Sequence, residues 1–243
     1  MQPMKTESSN SAPSSAQVKK MLLGMEADLC GIASIDRFSD APEGYHPLDV
    51  LPQCQSVIVF AKRFLAGTVA CKTTVPYTII RNIVSDQLDK IAVRFCYEME
   101  ARGVIAIPTG TNGPTEFDVR TNRSRNIVSA KHAAQAAGLG VIGKNTLLIT
   151  PEYGNMVWLS VILTELSLEP DPLLTSSLCP PKCTLCVDAC PVHATGEPEL
   201  KQTVCWNYAF GGENGGEFKI KCNKCRTVCP YCFGTENRGM RRG

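Results

Sequence analysis

The stretch from Leu178 to Cys232 constrains this chain more than any other: it reads LCPPKCTLCVDACP, then a single cysteine in VCW, then KCNKCRTVCPYC. Nine of the 13 cysteines lie after residue 177, and two of the runs close on Cys-Pro, at Cys190-Pro191 and Cys229-Pro230. In the ferredoxin run C-x2-C-x2-C-x3-C-P the cysteine before proline ligates the other cluster of a pair. Exchanging the two Cys-Pro residues gives one 4Fe-4S set of Cys179, Cys183, Cys186 and Cys229, and a second of Cys190, Cys205, Cys222 and Cys225. The gap between Cys179 and Cys183 is three residues and holds Pro180 and Pro181, so Cys232 is a spare thiol that could replace a ligand. A pair of four-cysteine zinc sites is the alternative, but zinc knuckles do not call for the Cys-Pro closure. Disulfides between cysteines this close would be strained.

A chain of 243 residues holds one domain of ordinary size and a small second one. The Ser-rich opening, 1–16, reads as a disordered leader rather than a signal peptide and lacks twin arginines. Residues 17–170 are expected to carry the hydrophobic core and a cofactor pocket, and 171–243 to be ordered by metal ligation. A net charge of +2 argues against a dedicated nucleic-acid binder, so nucleic acid is not an expected partner. The longest apolar run, Met156 to Leu163, is broken by Ser160 and falls short of the roughly 18 residues of a membrane span. Thiolate clusters and the absence of an export signal point to the cytoplasm.

Apolar spacing predicts a helix over 18–29 and a strand over 30–35, then a buried strand at 56–61. A long helix follows, capped by Thr74 with Pro76 just inside and running to Arg102, and 104–107 is read as another strand. Helices alternating with strands make the class α/β or mixed α+β. The polar segment from Pro108 to Ser124 is long for a structureless loop and is a candidate to line a pocket. Arg120, Arg123 and Arg125 at its end read either as a solvated basic loop or as a grip on amides, phosphates or carboxylates of a ligand. An Ala-rich helix over 127–137, with Lys131 and His132 on its solvent face, stops at Gly138. The sequence from Gly138 to Gly143 matches G-x-G-x-x-G, yet it follows a helix and leads into 147–149 and 156–163, read as a strand pair. A dinucleotide fingerprint needs the opposite context.

At AAGLGVIGKNTLLITPEYGNMVWLSVILTE, followed by Pro170-Asp171 and the paired cysteine motifs, the chain resembles the epoxyqueuosine reductase and reductive dehalogenase superfamily. The resemblance covers about 18–232 and is most specific over 136–230. It implies a nitroreductase-like α/β domain that holds cobalamin, joined to a ferredoxin-like domain with two 4Fe-4S clusters. By the same carry-over, Lys144, Asn145 and Thr146 would face the cofactor, next to Gly140 and Gly143 of the glycine motif; Arg123 and Arg125, from the polar segment, are further cofactor-binding candidates. No D-x-H-x-x-G signature is present, so the corrinoid would be bound with its lower base displaced. Epoxyqueuosine reductases place an acidic aspartate fourteen residues before the first glycine of GLG, where this chain has Ser124; Asp118 and Tyr153 are the other candidates for a proton donor. The helical-repeat region that those enzymes use on tRNA is not in this sequence.

The sequence is thus read as an iron-sulfur oxidoreductase passing electrons to a base-off corrinoid for a small substrate, with reduced ferredoxin or flavodoxin as donor. An electron-transfer protein without turnover and a compact tRNA epoxyqueuosine reductase are the alternatives. Cys30, Cys54, Cys71 and Cys96 are expected not to be ligands.

Overall fold

The computed structural model describes residues 12–120, 123–175, 178–196, 200–210 and 219–235. The first eleven residues of the expected leader lie outside them, as do the basic residues Arg238, Arg241 and Arg242. In chain order the elements are α1 (Ser15–Gly24), β1 (Leu29–Ser34), α2 (Pro47–Val50), β2 (Ser56–Arg63), α3 (Val75–Glu100) and β3 (Ala106–Pro108). Then come β4 (Thr115–Asp118), β5 (Arg123–Asn126), α4 (Ala130–Ala136), β6 (Val141–Ile142), β7 (Leu148–Ile149) and β8 (Val157–Thr164). Three helices, α5 (Leu185–Asp188), α6 (Gln202–Phe210) and α7 (Lys224–Thr227), belong to the cysteine-rich part.

The main sheet has the order β1-β2-β8-β3, and every pairing in it is antiparallel. Successive side chains alternate between faces, so Ile58 and Phe60 join Ile32 and Ile162 under α1 and α3, while Val57 and Val59 join Val161 and Leu163 under α4. Helices on both faces explain why β2 is apolar almost throughout. On the first face Leu22, Leu88, Phe95 and Met99 are fully buried, each contributing about 1.5–3 kcal/mol over an exposed position. On the second, α4 approaches so closely that a Cβ on Gly31 would stand 2.5 Å from the Ala137 carbonyl oxygen.

Several expectations change. The first helix starts earlier and ends earlier than read, because Ser14 accepts from the Gln17 amide in a capping box and Glu26 turns the chain with a φ of 75°; residues 15 and 16 are therefore helix, not leader. Thr74 makes no side-chain cap. The polar segment after Pro108 is not structureless: β4 and β5 form a two-stranded antiparallel ribbon, Asp118 opposite Arg123 and Phe117 opposite Ser124. Pairing of Arg123–Asn126 also delays the following helix to Ala130. Residues 148–149 and 157–164 are not partners, since β7 pairs with β6 and β8 with β2 and β3. Lys131 is only partly exposed, and burial, then the Arg123 charge, lowers its pKa. Among the described residues no helix is long and apolar enough to cross a membrane.

The cysteine-rich part, expected to be ordered by ligation, also has packing of its own against the main core. Ile220 and Cys232 are buried in the main core, with Phe210 and Phe233 packed against it. Asp171 fixes the junction: its carboxylate accepts from Lys19 Nζ at 2.5 Å and from the Ile32 amide at 2.9 Å, and its own amide donates to the Ile32 carbonyl at 2.9 Å.

Candidate functional site

The sequence groups the cysteines into two expected sets. Cys179, Cys183, Cys186 and Cys229 line one small cavity, bounded also by Lys144, Asn145 and Ile149. Burial, and then the charges of Cys179 and Cys183, raise the Cys186 pKa; Cys229 is raised by burial and by Cys186, Cys179 and Cys183, against a lowering hydrogen bond from the Tyr231 amide. In the other set, Cys205 is raised by burial and by Cys190 and Cys222. Cys225 is pushed up to about 11, chiefly by burial, with Arg226 lowering it and Cys205, Cys222 and Cys186 raising it. A thiolate whose charge raises another thiol's pKa lies near it, and neighbouring thiols ionise together most readily when a cation lies among them. Among the described residues no three His, Cys, Asp or Glu side chains converge as they would around a single ion.

Cys190 differs in sign. Burial raises it, but the backbone amides of Ala194, Val192 and Thr195 and the Thr195 hydroxyl outweigh burial and lower its pKa. The Ala194 amide reaches the sulfur at 3.2 Å, because the chain folds back after Cys190-Pro191. Cys232 lies in the hydrophobic core, 1% exposed, and not in the cavity of the first set. Cys30 and Cys96 are pushed up to about 12, mainly by burial, Cys54 is raised by burial, and Cys71 is exposed.

The α/β part grips this segment through its own motifs. Gly143 to Leu147 is the turn between β6 and β7, in which Thr146 takes a φ of 59°. From this turn Lys144 Nζ donates to the carbonyls of Pro181 and, at 3.1 Å, Cys183; Asn145 Nδ2 donates to the Cys225 carbonyl at 3.0 Å. One turn thus holds a loop from each cysteine set. The residues expected to face a corrinoid have these hydrogen bonds committed to the cysteine segment. A second motif, TPEYG, does the same with backbone alone: Gly154 has a φ of 59°, and a Cβ on it would stand 1.9 Å from the Tyr231 carbonyl oxygen. Asn155 Nδ2 donates to the Arg226 carbonyl at 3.1 Å. Gly140 fits the same pattern within the hairpin, where a Cβ would meet the Ile149 carbonyl oxygen at 2.3 Å.

The candidate proton donors are scattered. Ser124 lies on β5; its hydroxyl donates to Thr115 Oγ1 at 3.2 Å, and its backbone is clasped by Gln202, which accepts from its amide at 2.8 Å and donates to its carbonyl at 3.0 Å. Asp118 accepts from the Arg120 amide at 2.9 Å and lies 3.6 Å from its guanidinium. Tyr153 sits in the TPEYG turn, its amide donating to Thr150. Arg125 stacks on Tyr45 at 4.9 Å, and Arg123 reaches the Leu200 carbonyl at 3.4 Å. The ribbon therefore rests on α6, the helix that carries Cys205. Both elements expose large apolar side chains, Phe117 and Val119 on one side and Trp206 and Tyr208 on the other.

Sequence reasoning missed three residues. Gln202 and Asn155 are neutral amides with no pattern to mark them. Arg226, inside KCRTVCP, is only 4% exposed, with its guanidinium 5.1 Å from the Phe64 ring and 5.9 Å from Tyr77.

No family model matches the chain. A curated epoxyqueuosine reductase of Listeria monocytogenes is 39% identical over 116 residues, 44% of this chain and 29% of that protein. The crystal structure of an epoxyqueuosine reductase with an epoxyqueuosine-modified tRNA-Tyr stem loop matches 89% of this chain and 64% of its own, with a TM-score of 0.56 and 20% identity. A reductive dehalogenase whose structure suggested a mechanism for B12-dependent dehalogenation matches 98% of this chain and 35% of its own, with a TM-score of 0.71 and 17% identity. The aligned part thus spans under a third of the curated relative and under two thirds of the first structure. The chain is accordingly a relative of the epoxyqueuosine reductases, in the fold that they share with the reductive dehalogenases.

Proposed function

We propose that this chain is an oxidoreductase whose cysteines hold two 4Fe-4S clusters, one on Cys179, Cys183, Cys186 and Cys229, the other on Cys190, Cys205, Cys222 and Cys225, and that it reduces a small substrate on a corrinoid. The observation that carries the reading is the small cavity that Cys179, Cys183 and Cys186 share with Cys229, since a cysteine before proline that joins the other run's set is the arrangement ferredoxin-type pairs use. Bound clusters supply one-electron transfer, and a bound corrinoid supplies the reductive step. The chain's own residues hold the loops in place: Lys144 and Asn145 fix one loop of each set, the Cys190 turn offers amides to sulfur, and the apolar contacts of Ile220 and Phe233 keep water away. The exposed aromatic surface of β4 and α6 beside Cys205 suits a large flat ligand better than the GKNT turn does.

A second reading, a compact epoxyqueuosine reductase, is favoured by the 39% identity to an enzyme of that name and by the RNA in the related complex, which runs against the expectation from net charge. Anaerobic reconstitution with counts of iron, sulfide and zinc, followed by titration with hydroxocobalamin, tests the first reading. Eight iron per chain, on the order expected for two cubes, and a shifted cobalamin spectrum are expected; zinc in place of iron would overturn it. Turnover of epoxyqueuosine tRNA under a strong reductant would select the second reading.

A further inference from the structure

Arg226 follows Cys225 on α7 and turns into the main body of the protein. Phe64 and Tyr77 wall its guanidinium, and Phe64 stands 6.0 Å from Trp158, over which Arg81 lies at 4.9 Å. The side chain is 4% exposed, Nη1 is buried without a hydrogen-bond partner, and no ion pair joins Arg226 to a described residue. Asn155 and Asn145, both neutral, hold the backbone carbonyls of Arg226 and Cys225. A buried, unpaired charge is costly unless an opposite charge lies close. Arg226 follows Cys225 directly in the chain, so negative charge on the set that contains Cys225 would gather near it.

We propose that Arg226 sets the reduction potential of the cluster held by Cys190, Cys205, Cys222 and Cys225, keeping it above that of the other cluster. This rests on the two-cluster reading above. Reduction adds one electron to a cluster, with no bond broken and no proton taken up, so the site gains one negative charge. A fixed cation in a water-poor, aromatic-walled site stabilises that extra charge far more than a solvated one would. Electrons then collect on the cluster whose α6 helix clasps the β4–β5 ribbon, the side where the chain exposes its aromatic surface. Arg226 acts through the cluster's field and is a positioning residue, not a catalytic one.

The test is a dithionite-driven potentiometric titration, followed by EPR, of the anaerobically reconstituted full chain and four variants. Arg226→Gln should keep eight iron, on the order of two cubes, and shift one midpoint down by at least tenfold in the reduced-to-oxidised ratio, about 59 mV for a one-electron couple. Arg226→Lys should restore at least half of that shift, and Arg81→Gln, on the same aromatic group but on α3, should move neither midpoint. Full iron with both midpoints unmoved in Arg226→Gln overturns the proposal and leaves the clusters standing. Wild-type protein lacking the iron of two clusters overturns the cluster reading itself. If Arg226→Gln loses iron, the wild type decides: its two midpoints must differ, the higher one vanishing in Cys222→Ser, and equal midpoints overturn the proposal.

Discussion

The side-chain amide of Asn145 donates to the Cys225 carbonyl across 3.0 Å, while its Oδ1 accepts from the Leu147 amide at 3.2 Å. One buried residue therefore closes the β6–β7 turn and pins the second cysteine set to it. Asn145→Ala should cost about 1–3 kcal/mol, the penalty for stranding a buried polar group, read as a lower urea midpoint. Its neighbour should respond with the opposite sign. Thr146 is a β-branched residue at a φ of 59°, and Thr146→Gly is expected to stabilise by about 1 kcal/mol; a loss of stability would show that the hydroxyl matters more than the strain.

Gly154 and Gly234 bring two backbones together, since a Cβ on Gly234 would stand 2.2 Å from the Pro151 carbonyl oxygen and one on Gly154 would meet Tyr231 at 1.9 Å. No side-chain rotation relieves a clash with backbone. Gly154→Ala is expected to cost at least about 3 kcal/mol and to release the segment after Cys229, seen as fast proteolysis there.

Cys232 and Cys222 separate packing from ligation. Cys232→Ser places a hydroxyl in the core, costing about 1–3 kcal/mol, and should leave the iron content unchanged. Cys222→Ser should remove one cluster's EPR signal. Loss of iron in the first variant and retention in the second would reverse the assignment.

The remaining thiols make a pH prediction. Cys30 and Cys96 are pushed up to about 12, chiefly by burial, so they stay protonated in the folded chain where an unfolded thiol, near 9, would ionise. Their contribution to stability is present in full below about pH 9 and is lost as pH rises toward 12. The urea midpoint should fall over that window, less steeply in Cys96→Ala. At pH 8, iodoacetamide should label exposed Cys71 well before Cys30 or Cys96, and mass spectrometry of native protein reads the order.

Local chemistry made part of this protein legible in one dimension. Cysteines at short spacing point to a shared metal group, and Cys190-Pro191 and Cys229-Pro230 are what suggest the crossed grouping. The apolar runs at 56–61 and 156–163 announce buried strands, and the alternation of Val57 and Val59 with Ile58 and Phe60 divides them between two faces. Gly138, at a φ of 73°, ends its helix as the sequence suggests. The family motif also led to a true relationship, although its glycines serve close backbone approach.

Tertiary structure decided the rest. Nothing local tells that the polar stretch after Pro108 pairs with Arg123–Asn126, because β4 and β5 are held by cross-strand bonds and by Gln202, 78 residues away from Ser124. Nor does spacing show that Lys144 and Asn145 reach across to Cys183 and Cys225, or that Cys232 leaves the ligand run for the core. Arg226 is the sharpest case. Between two cysteines it reads as one more surface charge, and only the packing of Phe64 and Tyr77 over it takes away the water that would otherwise screen it. Covalent spacing fixes which groups can share a ligand, whereas burial and long-range hydrogen bonds depend on what the rest of the chain brings alongside.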